Sequence, residues 1–229
     1  MNHKTRLFSI LTAAALASVG ACSIANSRSP MNPSTTVAKE QGGMNHGGMM
    51  NSGSMKQGSM NMDVGPADAN YDLRFLDSMI PHHQGALTMA EEAIAKSKRP
   101  ELVKLAKSII ADQKVEIAQM QKWRKQWYAK VSDTPIMWHA QMNHEMPMTA
   151  EHKEMMQMNM SLGKADAGFD KRFIDAMTPH HQGAVTMGRD ALLKSKRPEM
   201  QQLSKNIISS QQKEIDLMAQ WRKKWYPAK

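Results

Sequence analysis

Apolar residues recur at helical spacing through two long stretches in the first half of the chain, and the second half repeats them. Between residues 100 and 128 the i, i+3, i+4 pattern is formed by Leu102, Leu105, Ile109, Ile117, Met120, Trp123 and Trp127. The preceding stretch has the same period at Leu73, Leu76, Met79, Ala86, Ala90 and Ile94. Pro100 suits the first turn of a helix, and Glu101 lies beside the positive helix end. The pattern therefore predicts helices at about 71–97, 100–128, 169–195 and 198–226.

The two halves are copies of one unit. Residues 72–128 align with residues 170–226 at a constant offset of 98 without a gap, and 33 of 57 positions are identical. The pattern Met-x-Pro-His-His-Gln-Gly-Ala occurs in both copies, and so does Lys-Ser-Lys-Arg-Pro-Glu at the predicted turn. Each copy is predicted to form a helical hairpin. The predicted fold class is therefore all-α, a four-helix bundle built from two tandem hairpins.

The N-terminus has the composition of an export signal. Lys4 and Arg6 precede an apolar or small stretch from Leu7 to Ala21, and Cys22 follows Val-Gly-Ala. These last four residues resemble a bacterial lipobox, so a lipid anchor at Cys22 is favoured over plain cleavage after Ala21, because exported chains rarely keep one lone thiol. Either process predicts a location in the periplasm or cell envelope, which makes nucleic acid an unexpected partner.

Composition and charge narrow the function classes. The chain of 229 residues has a single Cys, which excludes disulfide scaffolds and cysteine-based zinc or iron–sulfur sites. Its formal net charge is +9, and without Lys4 and Arg6 it is +7, from 28 basic and 21 acidic residues. The basic runs 96–99 and 124–125 are interpreted as a solvated turn and a helix end, with binding of anionic lipid headgroups as the alternative.

Two segments between these elements are predicted to be disordered. Residues 22–70 are rich in Gly, Ser, Asn and Met and are interpreted as a tether. Residues 129–168 form a Met- and His-rich connector, with a short helix at about 149–162 as an alternative. The predicted organisation is a signal peptide at 1–21, the tether at 22–70, hairpins at 71–128 and 169–229, and the connector at 129–168.

Potential metal ligands converge within each hairpin. Met79, His82 and His83 share one helix face because they are three and four residues apart. If the turn centres near Arg99, His82 faces Glu116 across the hairpin and Met79 faces Met120. The second copy supplies Met177, His180, His181, Glu214 and Met218 by the same arithmetic. Further along the same side of the first helices lie Met89 and Met187, which are either a second ligand pair or core residues.

Thioether and imidazole together suit soft or borderline metals, above all Cu(I). Glu116 and Glu214 either ligate the metal or accept an imidazole N–H and fix the tautomer of the ring. The competing interpretation is structural: a buried His82–Glu116 hydrogen bond, with the methionines as core filler.

Methionines also crowd the tether and the connector, where they have no evident core to fill. In the tether, close to His46, they are Met31, Met44, Met49, Met50, Met55, Met60 and Met62. In the connector they are Met137, Met142, Met146, Met148, Met155, Met156, Met158 and Met160, among His139, His144 and His152. Labile capture of Cu(I) or Ag(I) is the favoured interpretation, and a sticky linker or an oxidant sink is the alternative.

The Met-x-Pro-His-His-Gln motif, the later Gln113, Glu116, Met120 and Trp123, and their second copies resemble the bacterial family described as domain of unknown function 305. The resemblance covers about 72–128 and 170–226. It implies a ferritin-like four-helix bundle that binds copper through Met and His and supports copper resistance. By motif position it implies ligands at Met79, His82, His83, Met89, Met120, Met177, His180, His181, Met187 and Met218.

The sequence gives no support to the hypothesis of an enzymatic function. A di-iron centre in such a bundle needs Glu-x-x-His motifs, and neither motif helix has a Glu three residues before its His. We therefore expect no enzyme but an envelope copper-binding protein that sequesters or shuttles Cu(I), with Ag(I) as a mimic and Cu(II) suited to the imidazoles. Its expected partners are the metal ion and a copper efflux or delivery protein, with membrane contact only through Cys22. A non-metal structural or interaction bundle is the alternative.

Overall fold

The computed structural model describes residues 62–227, all within one compact unit. Five helices and two short strands occur in this range: α1 (Tyr71–Lys96), α2 (Pro100–Trp127), β1 (Ile136–His139), β2 (His144–Pro147), α3 (Ala150–Gln157), α4 (Phe169–Lys194) and α5 (Pro198–Trp225). The protein is thus mostly helical, and the four long helices end within one residue of their predicted ranges. The predicted signal peptide, Cys22 and residues 23–61 lie outside the described residues.

Three-residue turns make α1/α2 and α4/α5 antiparallel hairpins. After α1 ends, the Ser97 N–H donates to the Ala93 carbonyl at 2.9 Å and the Ser97 hydroxyl accepts from the Arg99 N–H at 3.1 Å. Both α2 and α5 then begin at a proline, whose fixed φ suits the first helical position and whose missing N–H would have had no partner there. The shared Lys-Ser-Lys-Arg-Pro sequence therefore builds the same turn twice.

The two hairpins pack against each other through α1 and α4 and exchange matched contacts at their ends. Arg99, in the first turn, pairs with Asp170 of α4 at 3.2 Å and lies 4.2 Å from the Trp225 ring centroid. Arg197, in the second turn, pairs with Asp72 of α1 at 3.2 Å and lies 4.3 Å from the Trp127 ring centroid. Each turn is thus held by the start of the first helix and the end of the second helix of the other hairpin.

The repeated unit is longer than the alignment of the helices indicates. Residues 62–70 and 160–168, here called the two lead-in segments, precede α1 and α4 at the same offset of 98. A glycine with positive φ occupies the same place in each: Gly65 at 91° and Gly163 at 73°, a backbone region that side chains disfavour. The repeat therefore extends back at least to residue 62, beyond the alignment of residues 72–128 with 170–226.

One arginine in each copy fixes its lead-in segment. The Arg74 guanidinium donates to the carbonyls of Val64 and Pro66, both at 2.7 Å. Its counterpart, Arg172, donates to the carbonyls ten and eight residues earlier at 2.6 and 2.7 Å. The lead-in segments are therefore packed on the helices, and the prediction of a disordered tether does not hold for residues 62–70.

The connector also differs from its prediction of disorder. Strands β1 and β2 form an antiparallel pair, and α3 begins with a capping box between Thr149 and His152. The Ile136 N–H donates to the buried Asp77 carboxylate at 2.9 Å, which ties β1 to α1. The expectation that these methionines lack a core is wrong for Met62, Met148 and Met156, which are buried in one hydrophobic cluster with residues of all four long helices.

No helix within residues 62–227 has both the length and the apolar content needed to cross a bilayer.

Candidate metal centre

The Pro-His-His-Gln-Gly motif lies in the middle of α1 and of α4, and both helices continue through the proline. Consecutive helix residues point about 100° apart, so the two histidines of each motif face different neighbours. All four imidazoles are buried: His82, His83 and His181 are fully buried and His180 is 1% exposed. Burial of four imidazoles at the level where the two hairpins meet needs a physical reason, because each buried ring nitrogen requires a partner.

The second histidine of each motif pairs with a glutamate of the neighbouring helix. His83 Nε2 lies 2.7 Å from Glu116 Oε2, and His181 Nε2 lies 2.7 Å from Glu214 Oε2. The prediction that His82 faces Glu116 was therefore wrong by one residue, because the hairpin arithmetic fixes the level along the helix but not the rotation about its axis. In both rings Nδ1 is buried without a hydrogen-bond partner.

Burial sets the protonation of the His181–Glu214 pair. It lowers the pKa of His181 to about 3, with a further lowering by His83 and an opposing effect of Glu116. Burial also raises the pKa of Glu214 to about 7, helped by the nearby carboxylates of Asp112 and Glu116. Near neutral pH the imidazole is thus uncharged, and its Nδ1 retains a lone pair if the proton is on Nε2.

The first histidine of each motif points toward the other hairpin. The ring centroids of His82 and His180 are 3.9 Å apart, with the ring planes tilted by 45°. His180 Nε2 lies 3.1 Å from the carbonyl oxygen of Gln157, the last residue of α3, so Nε2 is the donor and Nδ1 has no partner. His82 has no hydrogen-bond partner at either nitrogen.

Burial and the neighbouring imidazoles keep these two rings neutral. The pKa of His180 is lowered to about 3, chiefly by burial and then by His181 and His83. The pKa of His82 is lowered well below its usual value, by burial and then by His180, His83 and His181. The histidines of the two copies therefore form one centre between the hairpins, whereas the sequence analysis had placed a separate site in each copy.

Carboxylates and imidazoles alone do not complete a metal site here. Within residues 62–227, no group of three or more His, Cys, Asp or Glu is arranged to hold one ion. Any further donor to a metal ion at this centre is therefore of another kind, such as a thioether or an amide oxygen.

The predicted thioether ligands are all fully buried, but they divide across the hairpins. Met79 and Met120 belong to one hydrophobic cluster together with Met187 of the second copy. The other cluster joins Met177 and Met218 with Met89 of the first copy. Each group of three methionines therefore contains residues of both hairpins. Counting residues across the turn of a single hairpin cannot predict this grouping.

Two buried glutamines next to the glutamates were not selected as site residues. Gln113 and Gln211 are 3% and 2% exposed, and neither the oxygen nor the nitrogen of either side-chain amide has a partner. They lie three residues before Glu116 and Glu214, on the same helix face. The sequence indicated them, because Gln113 and Gln211 are polar residues at equivalent positions of the two copies, each within an apolar helix face.

A groove between α2 and α5 opens beside the centre. Its volume is about 810 Å³, and Asp112, Glu116 and Glu199 line it together with Trp123 and Leu203. Carboxylates along such a path attract cations toward a buried centre. The groove therefore reaches Glu116, the carboxylate that pairs with His83.

A family model described as domain of unknown function (DUF305) matches residues 72–222. The chain belongs to the DUF305 family. Among solved DUF305-like structures, CopM in its Cu(I)-bound form is 39% identical, with a TM-score of 0.53, and the match covers 68% of this chain and 97% of CopM. A DUF305 fragment from Deinococcus radiodurans is 28% identical, with a TM-score of 0.53, over 67% of this chain and 95% of the fragment.

CopM has been solved with different metals. In its Cu(II)-bound form it is 40% identical to this chain, with a TM-score of 0.55, and Ag-bound forms are also known. A curated relative, the uncharacterized protein L153 of Acanthamoeba polyphaga mimivirus, is 43% identical over 49 residues, which are 21% of this DUF305 chain. The chain spans only 32% of that relative's length.

Proposed function

We propose that this DUF305 protein is an exported copper-binding protein of the bacterial envelope that sequesters or shuttles Cu(I), with Ag(I) as a mimic. The observation that carries the proposal is the meeting of four buried imidazoles between the hairpins, with ring nitrogens that have no protein partner. Such nitrogens are costly unless something binds them, and a metal ion supplies the missing partner.

Neutral ligands define the preferred metal. Imidazole and thioether bear no charge, so they suit a soft monovalent cation such as Cu(I), while the imidazoles also suit Cu(II). The Cu(I), Cu(II) and Ag complexes of CopM support this choice. The proposed ligands remain those predicted from the sequence, with Glu116 and Glu214 as positioning residues that accept from Nε2 and free Nδ1 for the metal.

The location and partners are parts of the same proposal. Residues 1–21 are the export signal, and Cys22 is the lipid attachment point. A copper efflux or delivery protein of the envelope exchanges the ion, and the protein itself catalyses no reaction. Exposed connector methionines, Met142, Met155 and Met160, are suited to labile capture of further ions.

The finer architecture is also proposed. Two antiparallel hairpins, packed through α1 and α4 and locked at both ends by Arg99 and Arg197, support a ferritin-like four-helix bundle.

The test is a Cu(I) titration of the mature chain without oxygen, in competition with a chromogenic Cu(I) chelator. The double variant His82→Gln/His180→Gln removes the pair that joins the hairpins, and we expect at least a tenfold weaker affinity, on the order of 1.4 kcal/mol. His139→Gln/His144→Gln is the matched control, because it removes two histidines from β1 and β2, with ring centroids 6.0 Å apart. Unchanged affinity and stoichiometry in the first variant would refute the site.

A second measurement separates the metal from the structural alternative. Ligand that binds only the folded state raises the melting temperature by mass action. We expect Ag(I) to raise the melting temperature of the unaltered protein more than Zn(II) or Fe(II) does. If no metal raises it, the histidines are structural and the copper function fails.

A further inference from the structure

His82 differs from the other three histidines because neither of its ring nitrogens has a hydrogen-bond partner. The ring is fully buried, so water does not replace the missing partners from the surface. A buried polar atom left in this state destabilises the folded protein. Something other than the described hydrogen-bonding groups must therefore engage His82.

The space beside His82 Nε2 is bordered by sulfur-containing side chains. A Cβ placed on Gly183 of α4 would lie 3.1 Å from His82 Nε2, 3.2 Å from Met62 Cε and 3.7 Å from Met158 Sδ. The imidazole nitrogen and two methionine ends therefore surround one point next to α4. A glycine at residue 183 leaves this point open, and any side chain would fill it.

The two methionines come from the segments that flank the hairpins. Met62 begins the first lead-in segment and is buried, while Met158 directly follows α3 and is half-buried against the same hydrophobic cluster. Met158 has a left-handed backbone, with φ 45° and ψ 22°, which residues other than glycine adopt at a cost. That backbone conformation ends α3 beside Gly183 and directs the Met158 sulfur to this point.

The other copy has no such arrangement. His180 Nε2 is occupied by the Gln157 carbonyl, and a Cβ on Gly85 would lie 1.7 Å from that same carbonyl oxygen. Met160, which corresponds to Met62 at the offset of 98, is 56% exposed. The arrangement is therefore confined to His82 and is not a general property of the repeated motif.

We propose that His82 Nε2, the Met158 thioether and the Met62 thioether form one binding site for a soft monovalent cation, Cu(I) or Ag(I). Three neutral donors of this kind match such an ion, and none of the three atoms nearest to the point belongs to a carboxylate, which would favour a hard divalent cation. The inference rests on the proposed copper function and specifies one site within it, completed by segments outside the helices.

The test compares two double variants of the mature chain, each lacking two methionines. Met62→Leu/Met158→Leu removes both thioethers at nearly constant volume, a change that cores tolerate well. Met148→Leu/Met156→Leu is the control, because both residues are buried in the same hydrophobic cluster as Met62. With one equivalent of Ag(I), we expect the first variant to bind at least tenfold more weakly and to lose sulfur neighbours in X-ray absorption spectra, and the control to match the unaltered protein.

A third variant tests the space itself. Gly183→Ala places a methyl group 3.1 Å from His82 Nε2 without removing any donor, and it should weaken Ag(I) binding as well. Circular dichroism confirms that each variant is folded. If the unaltered protein binds neither Ag(I) nor Cu(I), the copper function fails; if it binds them and the Met62→Leu/Met158→Leu variant binds equally well with the same sulfur signal, only this site is refuted.

Discussion

His82 and His180 occupy the same position of the repeated motif but have different neighbours. The end of α3 gives His180 the Gln157 carbonyl, whereas His82 faces the methionines near Gly183. The hairpins themselves remain alike, with identical turns and matched arginine contacts. A connector that lies on one side only therefore creates two environments from one repeated sequence.

The largest predicted difference between the copies concerns Arg74 and Arg172. Arg74 is fully buried and, besides the lead-in carbonyls, binds Asp68 and Glu145 of β2. Arg172 is 39% exposed and has no partner in a strand among its described contacts. We expect Arg74→Ala to lower the free energy of unfolding by about 3 kcal/mol, because several hydrogen bonds to a buried charged group are lost.

Urea unfolding of both variants measures this difference. Arg172→Ala should cost several-fold less, because solvent screens its contacts. Equal losses in the two variants would show that the lead-in segments contribute alike and that the connector adds nothing through Glu145.

The motif glycines provide the next comparison. Gly85→Ala would place Cβ 1.7 Å from a backbone oxygen of Gln157, so α3 must move, and we expect a loss of about 1–3 kcal/mol. Gly183→Ala meets only side-chain atoms, at 3.1 Å or more, and gains up to about 1 kcal/mol of helix propensity. Its stability should therefore change little.

Thermal unfolding together with limited proteolysis of the connector separates these outcomes. Only Gly85→Ala should expose the chain around Gln157 to cleavage. If the connector is cleaved equally in the Gly85→Ala and Gly183→Ala variants, the position of α3 does not distinguish the two copies.

The smallest effects are expected where the copies are equivalent. Arg99→Ala and Arg197→Ala each remove one partly exposed ion pair and one contact with a Trp ring. Each should cost roughly 1 kcal/mol, and the two losses should agree within error. Chemical denaturation of the two single variants checks this, and unequal losses would contradict the matched packing of the hairpins.

The sequence predicted the features of the fold that depend on the local pattern of residues. Helical period and Pro100 were sufficient for the helix ends, and the repeated motif was sufficient to place two histidines in α1 and two in α4. Rotation about the helix axis was not accessible in this way, so Glu116 was assigned to His82 when it pairs with His83. Contacts between hairpins were also inaccessible, because nothing local in α1 indicates that His82 meets His180.

The connector was mispredicted for a different reason. Its methionines and histidines resemble those of a disordered segment, but Asp77 anchors β1, and Met148 and Met156 become buried once α1 is present. Composition describes what a segment can bury by itself, and here the burial surface is supplied by a helix more than 50 residues away in sequence.

Placing both hairpins in one polypeptide has a consequence for how the central histidines come together. Single hairpins would have to find each other by diffusion, and dilution would separate them. A covalent link instead holds the partner at an effective concentration on the order of millimolar, whatever the amount of protein present. The pairing of His82 with His180 is thereby independent of expression level, so a cell that makes few copies still makes complete ones.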